Sequence, residues 1–235
     1  MKLPLFFDAR AQLAASMELD AAESTHITKA MRLRTGDEIT LTDGKGKLFR
    51  ARIEVIKHHV HVHKAEEIPT EDTVVNLELA IAPTKNNDRL EWFIEKAVEI
   101  GIGRIALIHC NHSERPRINS ERLQRVAVAA LKQSGRTWLP VITELQSFES
   151  WVKSTSAELK AIAHCIEGED RMLLRDLILS GRSAAIAIGP EGDFSSEEVQ
   201  MAMAAGFSPV SLGEARLRTE TAALAAVHTF NLLNQ

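Results

Sequence analysis

Two cysteines, Cys110 and Cys165, are all the thiol that the 235 residues carry. They form no CxxC pair, so neither a zinc knuckle nor a dithiol redox motif is offered, and unpaired thiols fit a reducing compartment. Long apolar runs are lacking as well. A bilayer span takes roughly 20 consecutive apolar residues, and the apolar stretch within MKLPLFFDAR is too short even for a signal peptide. The expectation is a cytoplasmic protein. Repeats, low-complexity tracts and a P-loop sequence are missing too. So is positive net charge: 28 Lys+Arg face 32 Asp+Glu, a balance of −4. The overall field therefore does not by itself draw in a polyanion.

What remains is an ordinary globular composition, 45% hydrophobic and 26% charged, which supports a core without disulfide or metal. The length suits one large domain or two modest ones. Charge is unevenly spread. Residues 1–64 carry 11 Lys+Arg against 8 Asp+Glu, residues 85–140 carry 10 against 6, and residues 141–235 carry 7 against 13. A polyanionic partner would meet the first two-thirds; plain surface variation is the alternative.

The pattern changes along the chain. Residues 37–64 alternate as strands, with Asp43-Gly44 and Gly46 supplying a hairpin turn. The acidic, aperiodic stretch 65–73 with Pro69 marks a boundary near residue 72. Beyond it strands alternate with helices. Leu90, Phe93, Ile94, Ala97 and Val98 keep helical spacing up to Gly101 at a C-terminal cap, and Ser195 with Glu198 forms a capping box before a helix ending at Gly206. Such alternation predicts a mostly parallel sheet. The expected architecture is a small β domain, 1–72, followed by an α/β domain, 73–235.

Two segments stand out for chemistry. Ile188-Gly189-Pro190-Glu191-Gly192-Asp193-Phe194 leaves an apolar strand and reaches a capped helix. Its glycines let backbone approach a ligand, and in open α/β sheets ligands bind at the carboxyl ends of strands. A tight connection without a ligand is the alternative. Leu212-Gly213-Glu214-Ala215-Arg216-Leu217-Arg218-Thr219-Glu220 likewise follows a strand and opens a helix, where its charges hold an anion or simply cap and solvate. Gly101-Ile102-Gly103 follows a helix rather than a strand, so a cap explains it better than a dinucleotide loop. On a strand, His59, His61 and His63 share one face, and with no further ligand indicated a solvated face is favoured over a metal site.

Taken together, GPEGDFSSEE and LGEARLRTETAAL resemble the paired signature of the RsmE family of uridine-N3 methyltransferases within the SPOUT class. Residues 26–37, Lys85, Arg89, Lys96, Glu99 and Gly101, Asn111 to Arg115, and Gln133 to Arg136 with Pro140 are similar to further stretches of that family. The resemblance covers nearly the whole chain. One departure is Asp193, where a second glycine is commoner in the family.

The resemblance implies a PUA-like RNA-binding β barrel over 1–72 and a knotted α/β methyltransferase domain over 73–235. In that deep trefoil the segment 212–222 would pass through the loop near 189–194. It implies methylation of uridine N3 in 16S ribosomal RNA, within the small subunit; a tRNA or ribose-hydroxyl target, or RNA binding without catalysis, are the alternatives. S-adenosyl-L-methionine would be held mainly by backbone at Ile188, Gly189, Pro190, Gly192, Leu212, Gly213, Leu217 and Arg218. Arg218 would steady negative charge. Glu220 or Glu191 would serve as base, or else as cap and loop anchor. Arg10, Arg32, Arg34, Lys85, Arg89 and Arg136 would contact phosphates. No metal is implied. A homodimer is expected, built partly on the last helix, whose Ala222, Ala223, Leu224, Ala226, Val227, Phe230, Leu232 and Leu233 exceed the one stripe a surface helix needs.

Overall fold

The computed structural model describes residues 3–12, 15–115, 117–166 and 170–235. The chain forms two compact units. One is Met1–Thr73 with Leu131–Leu139; the other is Val74–Ala130 with Pro140–Gln235. A single cut near residue 72 does not capture this division, because Leu131–Leu139 clusters with the first unit.

In the first unit, β1 (Leu5–Phe7), β2 (Ser16–Glu18), β3 (Glu38–Thr42), β4 (Leu48–Ile56) and β5 (His59–Ile68) form one sheet in the order β1-β3-β4-β5-β2. Only β1 and β3 run parallel. Strict alternation sends Ile39 and Leu41, Phe49, Ala51 and Ile53, and Val60 and Val62 into a core with Phe6 and Ile27. The expected turn joins β3 and β4, with Gly44 at φ 72° and Gly46 at φ 91°. Helix α1 (Ala21–Thr25) starts on Asp20, whose carboxylate accepts from the Glu23 N–H, and winds into a π-helical turn at His26–Ala30. Residues 137–139 are stitched to this unit. The Thr137 N–H and hydroxyl both donate to Asp72, the Trp138 indole donates to the Asp72 carbonyl, and the Gly46 N–H donates to the Thr137 carbonyl. The histidine face of β5 is engaged with carboxylates: His59 and His61 with Glu18, His63 with Glu54.

The second unit contains β6 (Leu77–Ile81), β7 (Arg104–His109), β8 (Val141–Ile142), β9 (Gln146–Ser147), β10 (Leu159–Ala163), β11 (Met172–Leu173), β12 (Ala184–Ile188) and β13 (Ser208–Ser211). All pairings are parallel, in the order β11-β13-β10-β12-β6-β7-β8, with β9 beside β7. The helices are α2 (Asn87–Ile100), α3 (Ser120–Ser134, its last turn in the first unit), α4 (Phe148–Ser154), α5 (Leu174–Leu177), α6 (Ser196–Ala204) and α7 (Thr219–Leu233). Every residue of β12 is buried, as an apolar run covered on both faces requires. Gly101 caps α2 at φ 120°, so the Gly-Ile-Gly triplet is a helix stop.

Helix α7 packs on α2, α5, β6 and β12. Its Ala223, Ala226, Val227 and Phe230 are buried within their own chain, Phe230 to 2% exposure. Half of the apolar residues behind the dimer expectation are thus absorbed within the chain, Phe230 among them, and Ala222 and Leu224 are half-buried. Only Leu232 and Leu233 stay exposed, at 58% and 37%. No described helix is long and apolar enough to cross a membrane.

Candidate functional site

Sheet order fixes where ligands can sit. From β6 the chain moves to β7 on one side, while β12 flanks β6 on the other, so the order reverses at the β6/β12 boundary. Because the strands are parallel, the loops after β10, β12 and β13 emerge at one edge.

The loop after β12 is a braced turn. The Asp193 N–H donates to the Pro190 carbonyl at 2.9 Å. Asp193 takes φ 64°, the left-handed region that glycine enters freely and Asp tolerates. The departure from the family pattern therefore keeps the turn. Phe194 is buried against Phe148, ring centroids 4.9 Å apart. It lies so close to Gly189 that a Cβ there would sit 3.0 Å from its ring. The predicted capping box forms, Ser195 and Glu198 bonding reciprocally. Glu198 also accepts from the Asn111 N–H at 2.8 Å, and the Asn111 amide donates to Ser195 Oγ at 3.0 Å. Burial, with the Glu198 charge adding to it, pushes the neighbouring Cys110 thiol far up, so it acts as a small apolar side chain.

The loop after β13 is more open. Gly213 has φ 127° and nothing within 4 Å of where a Cβ would stand. The Ser211 hydroxyl accepts from the Gly213 N–H and donates to its carbonyl. The two loops meet where Thr219 Oγ1 donates to the Gly189 carbonyl at 3.2 Å.

Beside that junction lies a charge cluster. Glu220, in the first turn of α7, is 6% exposed. Its Oε1 is 3.7 Å from Arg89 Nε, while its buried Oε2 has no hydrogen-bond partner among the described residues. Arg89 Nη1 also donates to Glu191 Oε1 at 3.3 Å. Glu220, Arg89 and Arg218 line a cavity of about 580 Å³ with Asp88, Trp92, Arg216, Leu217 and Thr221. A second cavity, about 630 Å³, is lined by Asp170, Arg171, Leu173, Leu174, Arg175, Thr229 and residues 211–214.

The predicted donor residues are thus divided. Leu212 and Gly213 face the second cavity, Leu217 and Arg218 the first, and Ile188, Gly189 and Pro190 are buried behind the loop junction. Gly192 packs on His112, whose Cβ would be 3.1 Å from an added Cβ. Of the three catalytic candidates, Glu191 and Glu220 converge on Arg89, and Arg218 shares the cavity lining with Arg89 and Glu220. Of the predicted phosphate contacts, Arg32 and Arg34 are exposed on the first unit. Arg10 is tied to Asp8 and to the Glu18 carbonyl, and Arg136 to Asp72 at 2.7 Å. Lys85 pairs with Glu114, whose carboxylate holds the ammonium above its usual range. Sequence reasoning missed Trp92, Arg216, Asp170, Arg171 and Arg175 as lining residues. Arg216 lay inside a quoted stretch and Trp92 between the helix positions Leu90 and Phe93, whereas Asp170, Arg171 and Arg175 carry no spacing signal at all.

Comparison with known proteins agrees on both units. The RNA methyltransferase domain family matches residues 70–231, and the RNA methyltransferase PUA domain family matches residues 19–64. Ribosomal RNA small subunit methyltransferase E of Rickettsia conorii is 30% identical over 97% of this chain and 95% of its own. Among solved structures, the probable rRNA-methyltransferase from Porphyromonas gingivalis superposes with a TM-score of 0.92 at 40% identity, covering 99% of this chain and 98% of the other. Ribosomal RNA small subunit methyltransferase E from Neisseria gonorrhoeae, bound to S-adenosyl methionine, does so with a TM-score of 0.80 at 28% identity, covering 99% and 98%.

Proposed function

The chain belongs to the ribosomal RNA small subunit methyltransferase E family, and from that premise we propose that it methylates N3 of a uridine in 16S ribosomal RNA, in the cytoplasm, with S-adenosylmethionine as donor. The observation that carries the reading to this chain's own residues is Glu220: a nearly buried carboxylate with an unpartnered oxygen, at the junction of the two glycine loops, in a cavity shared with Arg218.

The site suits the donor chemically. The open backbone at Gly213, apolar Leu212, Leu173 and Leu174, and charged Asp170, Arg171 and Arg175 match a ligand with an aromatic base at one end and a zwitterion at the other. When bound, S-adenosylmethionine supplies a methyl group already activated by its sulfonium. The protein must then prepare the nucleophile. Uridine N3 carries a proton, and the lone pair is free only once that proton leaves. In this reading Glu220 accepts it, Arg218 steadies the negative charge left on the uracil, and Glu191 anchors Arg89. A positioned base contributes about a hundred- to ten-thousand-fold. The target base must leave its stack to reach such a cavity. Arg32 and Arg34 in the first unit would track the RNA backbone.

Two further elements belong to this reading. The Thr219–Gly189 bond and the return of β13 beyond β10 support a SPOUT-type trefoil knot, with 212–222 threaded past 189–194. A homodimer would use the exposed end of α7, so Leu232→Glu, not a change at Phe230, should convert a dimer to monomer in sedimentation; a wild-type monomer with full activity would refute the dimer. The function is tested by mass spectrometry of ribosomal RNA nucleosides from a strain lacking the gene. Loss of 3-methyluridine from 16S RNA, restored with the gene, is expected; an unchanged nucleoside profile would overturn it.

A further inference from the structure

Asp193 pays for its conformation. A non-glycine residue at φ 64° carries backbone strain that glycine would not, which the bonds of its side chain offset. It makes two bonds. One carboxylate oxygen accepts from the Cys165 N–H at 2.6 Å, and the other from the Phe194 N–H at 2.8 Å. The Asp193 carbonyl also faces His112 Nδ1 at 3.0 Å. A carbonyl only accepts, so the imidazole carries its proton on Nδ1. One residue thus touches the segments that follow β7, β10 and β12.

The geometry matters because the segment after β10 leads into the lining of the second cavity. Cys165 follows His164, whose carbonyl accepts from the Arg171 guanidinium, and Arg171 lines that cavity. Arg171 in turn precedes Met172, which pairs with Val210 of β13. Charge-assisted bonds to backbone N–H groups are stronger than neutral ones and hold a segment in one place.

We propose that Asp193 is a positioning residue for donor binding: its carboxylate fastens the segment after β10 to the loop after β12, so that both walls of the donor site hold one geometry before the donor arrives. The proposal rests on the reading that these loops hold S-adenosylmethionine. It differs from a purely structural role, in which the carboxylate stabilises the turn and leaves the ligand site unaffected.

Full-length wild type, Asp193→Gly and Asp193→Asn decide it. Glycine takes φ 64° freely and asparagine tolerates it, so both variants keep the turn. Calorimetric titration with S-adenosylmethionine should show Asp193→Gly binding about tenfold more weakly, the scale of one charge-assisted hydrogen bond. Asp193→Asn, with one carbonyl oxygen left to accept, should recover to within about threefold of wild type. The donor KM should rise in step while kcat at saturating donor holds. Amide hydrogen exchange at Cys165 should quicken in Asp193→Gly. Wild-type affinity in Asp193→Gly, weakened affinity with Cys165 protection unchanged, or loss of the fold in either variant would each overturn the proposal. If wild type itself binds no donor, the donor-site reading falls and takes the proposal with it; if wild type binds and Asp193→Gly equals it, only the positioning role falls.

Discussion

A buried carboxylate oxygen that meets no donor is costly, and Glu220 Oε2, beside the Arg89 guanidinium, meets none among the described residues. Glu191, by contrast, is exposed and spends its charge on Arg89. Replacing Glu220 by Gln keeps the shape and removes the proton acceptor. Single-turnover rates should fall about a hundredfold or more, with donor affinity and melting temperature near wild type; more than half the activity in Glu220→Gln would exclude it as base. The two loop glycines separate in the same way. Gly213 has space but a left-handed φ, whereas Gly189 lacks space because Phe194 crowds it. Gly213→Ala should therefore lower the melting temperature through backbone strain and Gly189→Ala through crowding of Phe194, each with weaker donor binding, as titration and thermal unfolding would record. Sequence placed all four of these residues in two motifs. It did not reveal Arg89 as the common neighbour of Glu191 and Glu220, because a contact across 102 positions leaves no local pattern.

Elements were legible where periodicity had room to show. The strand Ala184–Ile188, the Ser195–Glu198 box and the Gly101 stop all stand where spacing put them. The edge strands Met172–Leu173, Val141–Ile142 and Gln146–Ser147 are two residues long, too short for any alternation, and they exist only because a neighbour pairs with them. The capping box does more than start α6. Glu198 satisfies the Ser195 N–H and the Asn111 N–H together. Ser195→Ala removes the capping bond, at about 1 kcal/mol, together with the exposed acceptor of the Asn111 side-chain amide. Glu198→Ala leaves two part-buried backbone donors without their carboxylate and should cost more, roughly 2–4 kcal/mol. Thermal unfolding of both variants checks the order; equal losses would show that the Asn111 bond contributes nothing.

At the scale of the whole chain, the change from alternating strands to strand–helix alternation gave two parts, but Leu131–Leu139 joins the first unit by bonds to Asp72 and Gly46. Long-range stitching of this kind is invisible to composition, and it explains why Arg136, legible as a basic residue, is held by Asp72. It also decides how the RNA-binding role of the first unit should be tested. Removing residues 1–72 would leave 131–139 without the unit it packs in, so a truncated chain would confound folding with binding. Substitution in the full chain avoids this. Arg32 and Arg34 are exposed, and Arg32 adopts φ 56°, so glutamine at both removes two charges with little effect on the core. Each phosphate contact releases counterions, and the slope of log affinity against log salt is about 0.7 per contact on single strands and about 0.9 on duplex. Arg32→Gln with Arg34→Gln should weaken ribosomal RNA binding at low salt and flatten that slope by about 1.4 to 1.8 in total. Donor affinity, set in the second unit, should not move. A slope equal to that of wild type would show that these arginines face no phosphate and that the RNA is gripped elsewhere.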